Sequence, residues 1–303
     1  MKYEFKVLIF CLLTTAFSLP SIHGETIRVA SFNVRNYLNT DRWVEGRWRQ
    51  DYPKPEEEKQ ALREIIRRVS PDVLAIQEMG GAEFLSEFQS DLKAEGLDYP
   101  FAELLKGPDE DRHLAIFSKV SPVRIKSHDQ VLFRYFEEQI PIKRGIQEIV
   151  FETNNIRWSL FNVHLKSRWT DRKDDPESQK RRVGEAQAAR DLIRTLHPPG
   201  EVDSRYIVAG DFNDAKDSST VKRFLKVSDT KLTEMVPCYD SRGENWTFHY
   251  RRKDIYQRVD FILVSPLMES LVRGASGTIV DLLPESKVAS DHRMLYIDLD
   301  FPD

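Results

Sequence analysis

Six short stretches set oxygen- or imidazole-bearing side chains against the end or start of an apolar run. "VASFN" ends at Asn33, "VLAIQE" at Glu78, and "IVAGDFN" at Asp211 and Asn213. "FNVHLK" carries His164, "RVDFIL" carries Asp260, and "SDHRML" opens with Asp291 and His292. An apolar run marks a rigid strand, so each polar group leaves a fixed support and several of them can converge. A buried carboxylate is costly unless it is paired or bound to a cation. Carboxylate and amide oxygens without thiolate suit a hard ion, Mg²⁺ or Mn²⁺. Any one of these residues could instead be an ordinary turn or cap residue. Six such segments in one chain weaken that reading.

Other chemistries are excluded. The chain has no G-x-x-x-x-G-K-[ST], no G-x-G-x-x-G, no H-E-x-x-H and no G-x-S-x-G. Of its two cysteines, Cys11 lies in the N-terminal apolar stretch and leaves Cys238 alone, so neither a cysteine zinc site nor an internal disulfide is expected. His128 and His197 fall in expected solvated loops. His113 and His249 adjoin strands and could either line a cleft or lie on the surface.

The elements that must position these residues can be read from periodicity. "TIRVASFN" alternates as a strand, and "EEEKQALREIIRRV" places Ala61, Leu62, Ile65, Ile66 and Val69 on one helix face. Acidic residues open that helix and arginines close it, as the helix dipole favours. "GAEFLSEFQSDLKAEG" and "PESQKRRVGEAQAARDLIRTL" read as further helices. "HLAIFSK", "QEIVFET", "IRWSLFNVHLK", "RYIVAGDFN", "RVDFILVS" and "RMLYIDLDF" read as strands. Strands and helices alternate without a strict βαβ rhythm, which predicts an α/β layered sandwich with mixed sheets. Residues 36–56 and 168–176 are expected to be irregular polar loops.

Composition sets the outer bounds. Of 303 residues, 40% are hydrophobic and 31% charged, enough for a soluble fold with a full core. Residues 1–24 differ from the rest: Lys2 and Lys6 precede the apolar run Val7–Leu13, then small and polar residues follow. This is the pattern of a cleaved secretory signal peptide, leaving one domain over 25–303, secreted or periplasmic, without stable membrane insertion and monomeric. The loss of Lys2, Glu4 and Lys6 leaves 43 basic against 48 acidic residues, a net charge of −5. A polyanionic substrate must then be held by a local basic patch or by metal.

In this order and spacing, "SFNVRN", "PDVLAIQE", "NVHLKS", "AGDFND", "RVDFILVS" and "SDHRML" resemble the endonuclease/exonuclease/phosphatase superfamily, from about residue 27 to residue 300. The resemblance implies a four-layer α/β sandwich, with two mixed β-sheets face to face and helices on the outer faces. It implies metal-assisted hydrolysis of a phosphate ester by water. In that scheme Glu78, Asn33 and Asp291 hold the metal, and Asp211 positions or deprotonates the water. Asn213 donates to the phosphate or the water, and His164 donates to a phosphoryl oxygen. Asp260 orients His292, which faces the scissile phosphate. Either Asp211 or His292 serves as base, and one or two metals bind.

For the substrate, "GDFNDA" departs from the "GDLNYR" of inositol 5-phosphatases, and "HLKSRW" lacks the acidic pair associated with sphingomyelinases. Nucleic acid is the leading expectation, with a small or lipid phosphate as the alternative. Arg42, Arg47 and Trp48, with Trp43 and Arg49, follow the first strand, and Arg168 and Arg251 follow two other motifs. Aromatics interleaved with arginines can stack bases and hold phosphates, though ordinary solvated surface has the same composition.

Overall fold

The computed structural model describes residues 24–170 and 172–303. The signal-peptide reading, apart from Gly24, therefore lies outside the described residues. Among these residues no helix is long and apolar enough to cross a membrane.

In chain order the first half runs β1 (Glu25–Tyr37), β2 (Thr40–Val44), β3 (Arg47–Tyr52), α1 (Glu56–Val69), β4 (Val73–Met79), α2 (Ala82–Ala94), β5 (Phe101–Leu105), β6 (His113–Ser118), β7 (Arg124–His128), β8 (Leu132–Tyr135) and β9 (Glu138–Pro141). It continues through β10 (Ile146–Thr153), β11 (Ile156–His164), α3 (Gln179–Leu196), β12 (Tyr206–Asp211), α4 (Ser219–Leu225) and the short strands β13 (Lys226–Val227), β14 (Thr230–Lys231), β15 (Glu234–Met235) and β16 (Cys238–Tyr239). The last part is β17 (Phe248–Tyr250), β18 (Ile255–Gln257), β19 (Asp260–Val264), β20 (Gly277–Ile279), α5 (Glu285–Val288) and β21 (Leu295–Phe301).

One sheet has the order β16-β20-β21-β1-β4-β6-β5, the other β15-β19-β12-β11-β10-β7. Both are mixed: β1 runs parallel to β4 and antiparallel to β21, and β11 runs parallel to β12 and antiparallel to β10. The two-residue strand period sorts the side chains into layers. Ile27, Val29, Val73 and Ala75 from the first sheet meet Trp158, Leu160, Ile207, Ala209 and Ile262 from the second. The alternate residues, Ala30, Phe32, Leu74 and Ile76, face Leu62, Ile65 and Ile66 of α1 and Phe88 of α2. Val163, Val208 and Phe261 face Ala186, Ala189 and Ile193 of α3 and Phe224 of α4. This is the four-layer sandwich. Each fully buried Leu, Ile or Phe contributes roughly 1.5–3 kcal/mol to it. Cys238 is buried in the central layer as a free thiol.

Gly210 shows why one motif residue is fixed. Its φ is +145, and a Cβ there would lie 1.9 Å from the Val163 carbonyl oxygen. Only glycine lets β12 approach β11 this closely just before Asp211.

Three expectations need correction. Residues 36–56 are not irregular: β2 and β3 form a hairpin whose turn, Glu45–Gly46, has φ of +50 and +72, a two-residue type I′ geometry. Most of its residues are exposed on both faces, so it carries no apolar alternation to read. His128 is not solvated. It ends β7, buried, 2.8 Å from Glu148. His197 closes α3 and meets the Ser159 hydroxyl at 3.1 Å. In both cases a neighbouring strand supplies the cover, and local polarity does not reveal it.

Asp240 ties the last third of the chain together. It accepts from the Arg242 and Glu244 backbone N–H groups at 2.9 and 2.8 Å and from Arg293 at 3.0 Å. Burial alone would raise its pKa; those backbone groups and Arg293 outweigh burial and hold the carboxyl well below the usual range. A depressed folded pKa means stability that is present above the unfolded value of about 3.9 and is lost as pH falls towards the folded one. Asp240→Asn is therefore expected to cost about 1.5–3 kcal/mol at pH 7 and less on acidification. Urea denaturation from pH 7 to pH 3 measures this; a deficit that does not shrink would remove the ionic assignment.

Candidate active site at the sandwich rim

Strand parity builds the site. Along β11 the inward residues are Trp158, Leu160, Asn162 and then His164; along β12, Ile207, Ala209 and then Asp211; along β19, read from its far end, Val264, Ile262 and then Asp260. The register pairs His164 with Asp211 and Asp211 with Asp260, so three polar groups stand side by side where the apolar layer ends. From the opposite sheet Ser31 and Asn33 continue the inward face of β1, and Gln77 that of β4. Behind the rim the two sheets are joined by amides: Gln77 donates to Asn162 at 2.8 Å and to Ser31 at 3.2 Å.

Parity would send Glu78 outwards. A register shift at the end of β4 and a left-handed backbone, φ +64, bring its carboxylate to the site instead. Arg35, Asn36 and Asn213 also have φ near +50. Asn36 and Asn213 adopt this conformation readily, but for Glu78 and Arg35 it costs about 1–2 kcal/mol each, a mark of a site where geometry serves function.

Asp211 lies at the centre, 1% exposed. Its Oδ2 accepts from Asn33 Nδ2 at 3.0 Å and Asn213 Nδ2 at 3.1 Å, and its Oδ1 accepts from the Asn213 N–H at 2.8 Å. The Nε2 atoms of His164 and His292 lie 3.5 and 3.8 Å from Oδ2. His292 Nδ1 meets Asp260 Oδ2 at 2.9 Å. Glu78 accepts from the Asn36 N–H at 2.9 Å and from Asn33 at 3.4 Å, and lies 4.0 Å from His164. Asp291, more open, faces Arg35 at 3.8 Å.

Charge follows from this packing. Burial pushes the Asp211 carboxyl up to about 7; His292 opposes the shift and Asp260 adds to it. Burial works against the His292 imidazolium, but Asp260 and Asp211 outweigh it and hold His292 charged well above its ordinary value. His164 is held neutral, by burial first and then by Arg144 and His292.

Asp211, Asp260 and His292 each present a ligand atom within 4.8 Å of the others. With Glu78 and Asp291 the rim holds four carboxylates against His292 and Arg35 as contacting cations, with no thiolate. The open carboxylates Glu78 and Asp291, with no thiolate near them, fit a hard divalent cation, whereas His292, held as imidazolium, offers it no lone pair. Asn33 turns its NH₂ to the carboxylates, while its Oδ1 accepts from the Arg35 N–H at 2.9 Å. In this arrangement it braces Glu78 and Asp211. Asn213 likewise spends its amide on Asp211 and on the Leu165 carbonyl, at 3.0 Å.

The expected substrate residues are scattered. Arg47, Trp43 and Trp48 project from the β2–β3 hairpin, with both tryptophans more than half exposed. Arg42 is not free: its guanidinium holds the backbone carbonyls of Tyr52, Asn36 and Leu38. Arg168 is half-buried beside exposed Trp169, and Arg251 is tied to the Lys287 carbonyl.

Three residues were missed by sequence reasoning. Ser290 accepts from the His292 N–H at 3.0 Å and donates to the Asn33 carbonyl at 2.9 Å, which fixes the Asp-His pair to β1. The Thr247 hydroxyl accepts from the N–H groups of Val259 and Asp260, both at 3.1 Å. Arg35 faces Asp291. Ser290 sits inside the quoted "SDH" stretch, but Thr247 carries no signal of its own.

A family model described as Endonuclease/Exonuclease/phosphatase family matches residues 30–292. Among curated proteins, none matches in sequence. Solved structures share the fold. An endonuclease/exonuclease/phosphatase from Bacteroides vulgatus has a TM-score of 0.63 at 17% identity, covering 91% of this chain and 99% of that one. The human Nocturnin catalytic domain with bound sulfate anion has 0.61 at 19%, covering 91% and 94%. A truncated Caenorhabditis elegans TDP2 has 0.59 at 15%, covering 92% and 99%.

Proposed function

Because the chain belongs to the endonuclease/exonuclease/phosphatase family, and its rim residues converge, we propose that it is a divalent-metal-dependent phosphodiesterase acting on nucleic acid, exported by its first 24 residues. The observation that carries the catalytic reading is the buried contact of Asp211, Asp260 and His292 beneath Glu78 and Asp291.

The reaction replaces a P–O ester bond by a P–O bond from water. The difficulty is the negative phosphate, which repels a nucleophile. A bound Mg²⁺ or Mn²⁺ offsets that charge and stabilises the leaving oxygen. Glu78 and Asp291, both partly open, would hold it, leaving Asp211 free of the metal. Asp211 receives a proton as water attacks, and its position is set by Asn33 and Asn213. His292, kept charged by Asp260, stabilises the phosphoryl oxygens through Nε2. Neutral His164, its Nε2 3.5 Å from Asp211, donates an N–H to a phosphoryl oxygen.

Hydrolysis of DNA, RNA and bis-p-nitrophenyl phosphate is expected with Mg²⁺ or Mn²⁺ and is expected to vanish with EDTA. Glu78→Ala is expected to lower kcat and raise the metal concentration needed for half-maximal rate, each at least tenfold. Full activity of that variant in chelator, or turnover of p-nitrophenyl phosphate alone, would overturn the proposal.

A further inference from the structure

The pairing of β1 with β4 slips beside the reaction centre. Asn33 pairs with Gln77 and Tyr37 with Met79, so a step of four residues along β1 matches a step of two along β4. Arg35 and Asn36, with φ of +49 and +53, take up the surplus as a bulge in the strand. Neither has a partner in β4, and a carbonyl turned out of its ladder needs a donor from elsewhere.

Two cations supply those donors. Lys54 Nζ donates to the Arg35 carbonyl at 3.2 Å. Arg42 Nη2 donates to the Asn36 carbonyl at 3.1 Å and to the Leu38 carbonyl at 2.7 Å. Both belong to the β2–β3 hairpin and its exit. Arg42 lies in β2, with its Nε on the Tyr52 carbonyl at the end of β3, and Lys54 follows two residues later. Arg112 holds the same turn by its side chain, donating to Asn36 Oδ1 at 2.7 Å. Lys54 is only 2% exposed, an unusual place for a lysine. Its counter-ion Glu58 lies at 2.8 Å, and burial still pushes the ammonium down to a pKa of about 8. A charge sunk this deep beneath a solvated hairpin is a costly cap for one carbonyl.

The turn it caps touches both open carboxylates. The Asn36 N–H donates to Glu78 Oε2 at 2.9 Å, and the Arg35 guanidinium faces Asp291 Oδ2 at 3.8 Å. Glu78 leaves the end of β4 with a left-handed backbone, so its strand alone does not aim it. Any rotation of the Arg35–Asn36 turn shifts the partners of both carboxylates at once. Resting on the metal-dependent reading of this site, we propose that Arg42 and Lys54 are positioning residues: they clamp the Arg35–Asn36 turn and so set the spacing of Glu78 and Asp291 for a divalent cation.

Lys54→Met and Arg42→Gln keep much of the side-chain length and remove the charged donors. Mn²⁺ binding to the full chain, read from the paramagnetic resonance signal of the free ion, needs no turnover. Its Kd is expected to rise roughly 10–100-fold in either variant, as when groups that orient metal ligands are removed elsewhere. The Mn²⁺ concentration for half-maximal hydrolysis of bis-p-nitrophenyl phosphate should rise in step. At saturating Mn²⁺, kcat and KM are expected to return to within about threefold of wild type. Lys119→Met is the matched control, because Lys119 caps the Ser70 carbonyl at 3.0 Å near the start of β4, the end away from Glu78. It should lower Tm and leave the Mn²⁺ Kd unchanged. Circular dichroism checks each fold, and if Lys54→Met does not fold, Arg42→Gln at its more open position decides. Wild-type Mn²⁺ affinity in the folded variants overturns the clamp and leaves the metal reading intact. A loss of kcat that saturating Mn²⁺ does not restore, or an equal rise of Kd in Lys119→Met, does the same. No Mn²⁺ binding and no metal-dependent hydrolysis by wild type overturns both.

Discussion

Asp211→Ala is expected to lower kcat by three orders of magnitude or more, about 4 kcal/mol of transition-state stabilisation, with a KM change of only a few-fold. The carboxylate stands where two sheets, two amides and two imidazoles meet. Burial and Asp260 raise its pKa to about 7, so near neutral pH it can both hold and release a proton. No neighbouring carboxylate can take its place, because Asp260 is committed to His292. Asp211→Asn is a second probe, but its NH₂ would face the amide donors of Asn33 and Asn213, so its fold must be checked by circular dichroism and thermal melting. A folded Asp211 variant with more than a tenth of wild-type kcat would rule out its central role.

The second large effect is expected at the dyad. Asp260→Asn keeps the size of the side chain but removes the charge that holds His292 as imidazolium and fixes Nδ1–H. A loss of 10²–10⁴-fold in kcat is expected, with KM nearly unchanged. The sign in pH is set by the same contact. Without the carboxylate the imidazolium is easier to deprotonate, so the alkaline limb of the kcat–pH profile should move to lower pH. His292→Ala is expected to do at least as much harm. The double variant should be barely worse than His292→Ala, since both residues act as one unit. Additive losses, or an unmoved alkaline limb in Asp260→Asn, would show that the two act separately.

Much of this was written locally. The two-residue period of "IRWSLFNVH", "YIVAGD" and "DFILV" sorts side chains onto faces, and it alone places His164, Asp211 and Asp260 at the inward end of their strands. The helix over Glu56–Val69 agrees with its expected span because its apolar stripe, acidic start and basic end all point the same way. The hairpin over Thr40–Tyr52 was illegible, since β3 is exposed along its whole length and the half-buried face of β2 is Thr40, Arg42 and Val44, which is not an apolar stripe. The burial of His128 was hidden because β10, which covers it, begins 18 residues later.

What the sequence by itself determined is the family, the strand ends and the residue types at them. Strand period and residue size act between near neighbours in the chain. The tertiary structure decided the rest: that Asn33 braces two carboxylates and turns its oxygen away, that a bulge swings Glu78 inwards, and that Arg42 is tied to backbone. It also decided that His249 and Tyr256 lie with their rings stacked on each other and that the His249 N–H reaches the Asp291 carbonyl. These outcomes depend on how two sheets close face to face over a shared apolar layer. Residues 178 positions apart, such as Asn33 and Asp211, are brought to 3.0 Å by that packing, which no local pattern encodes.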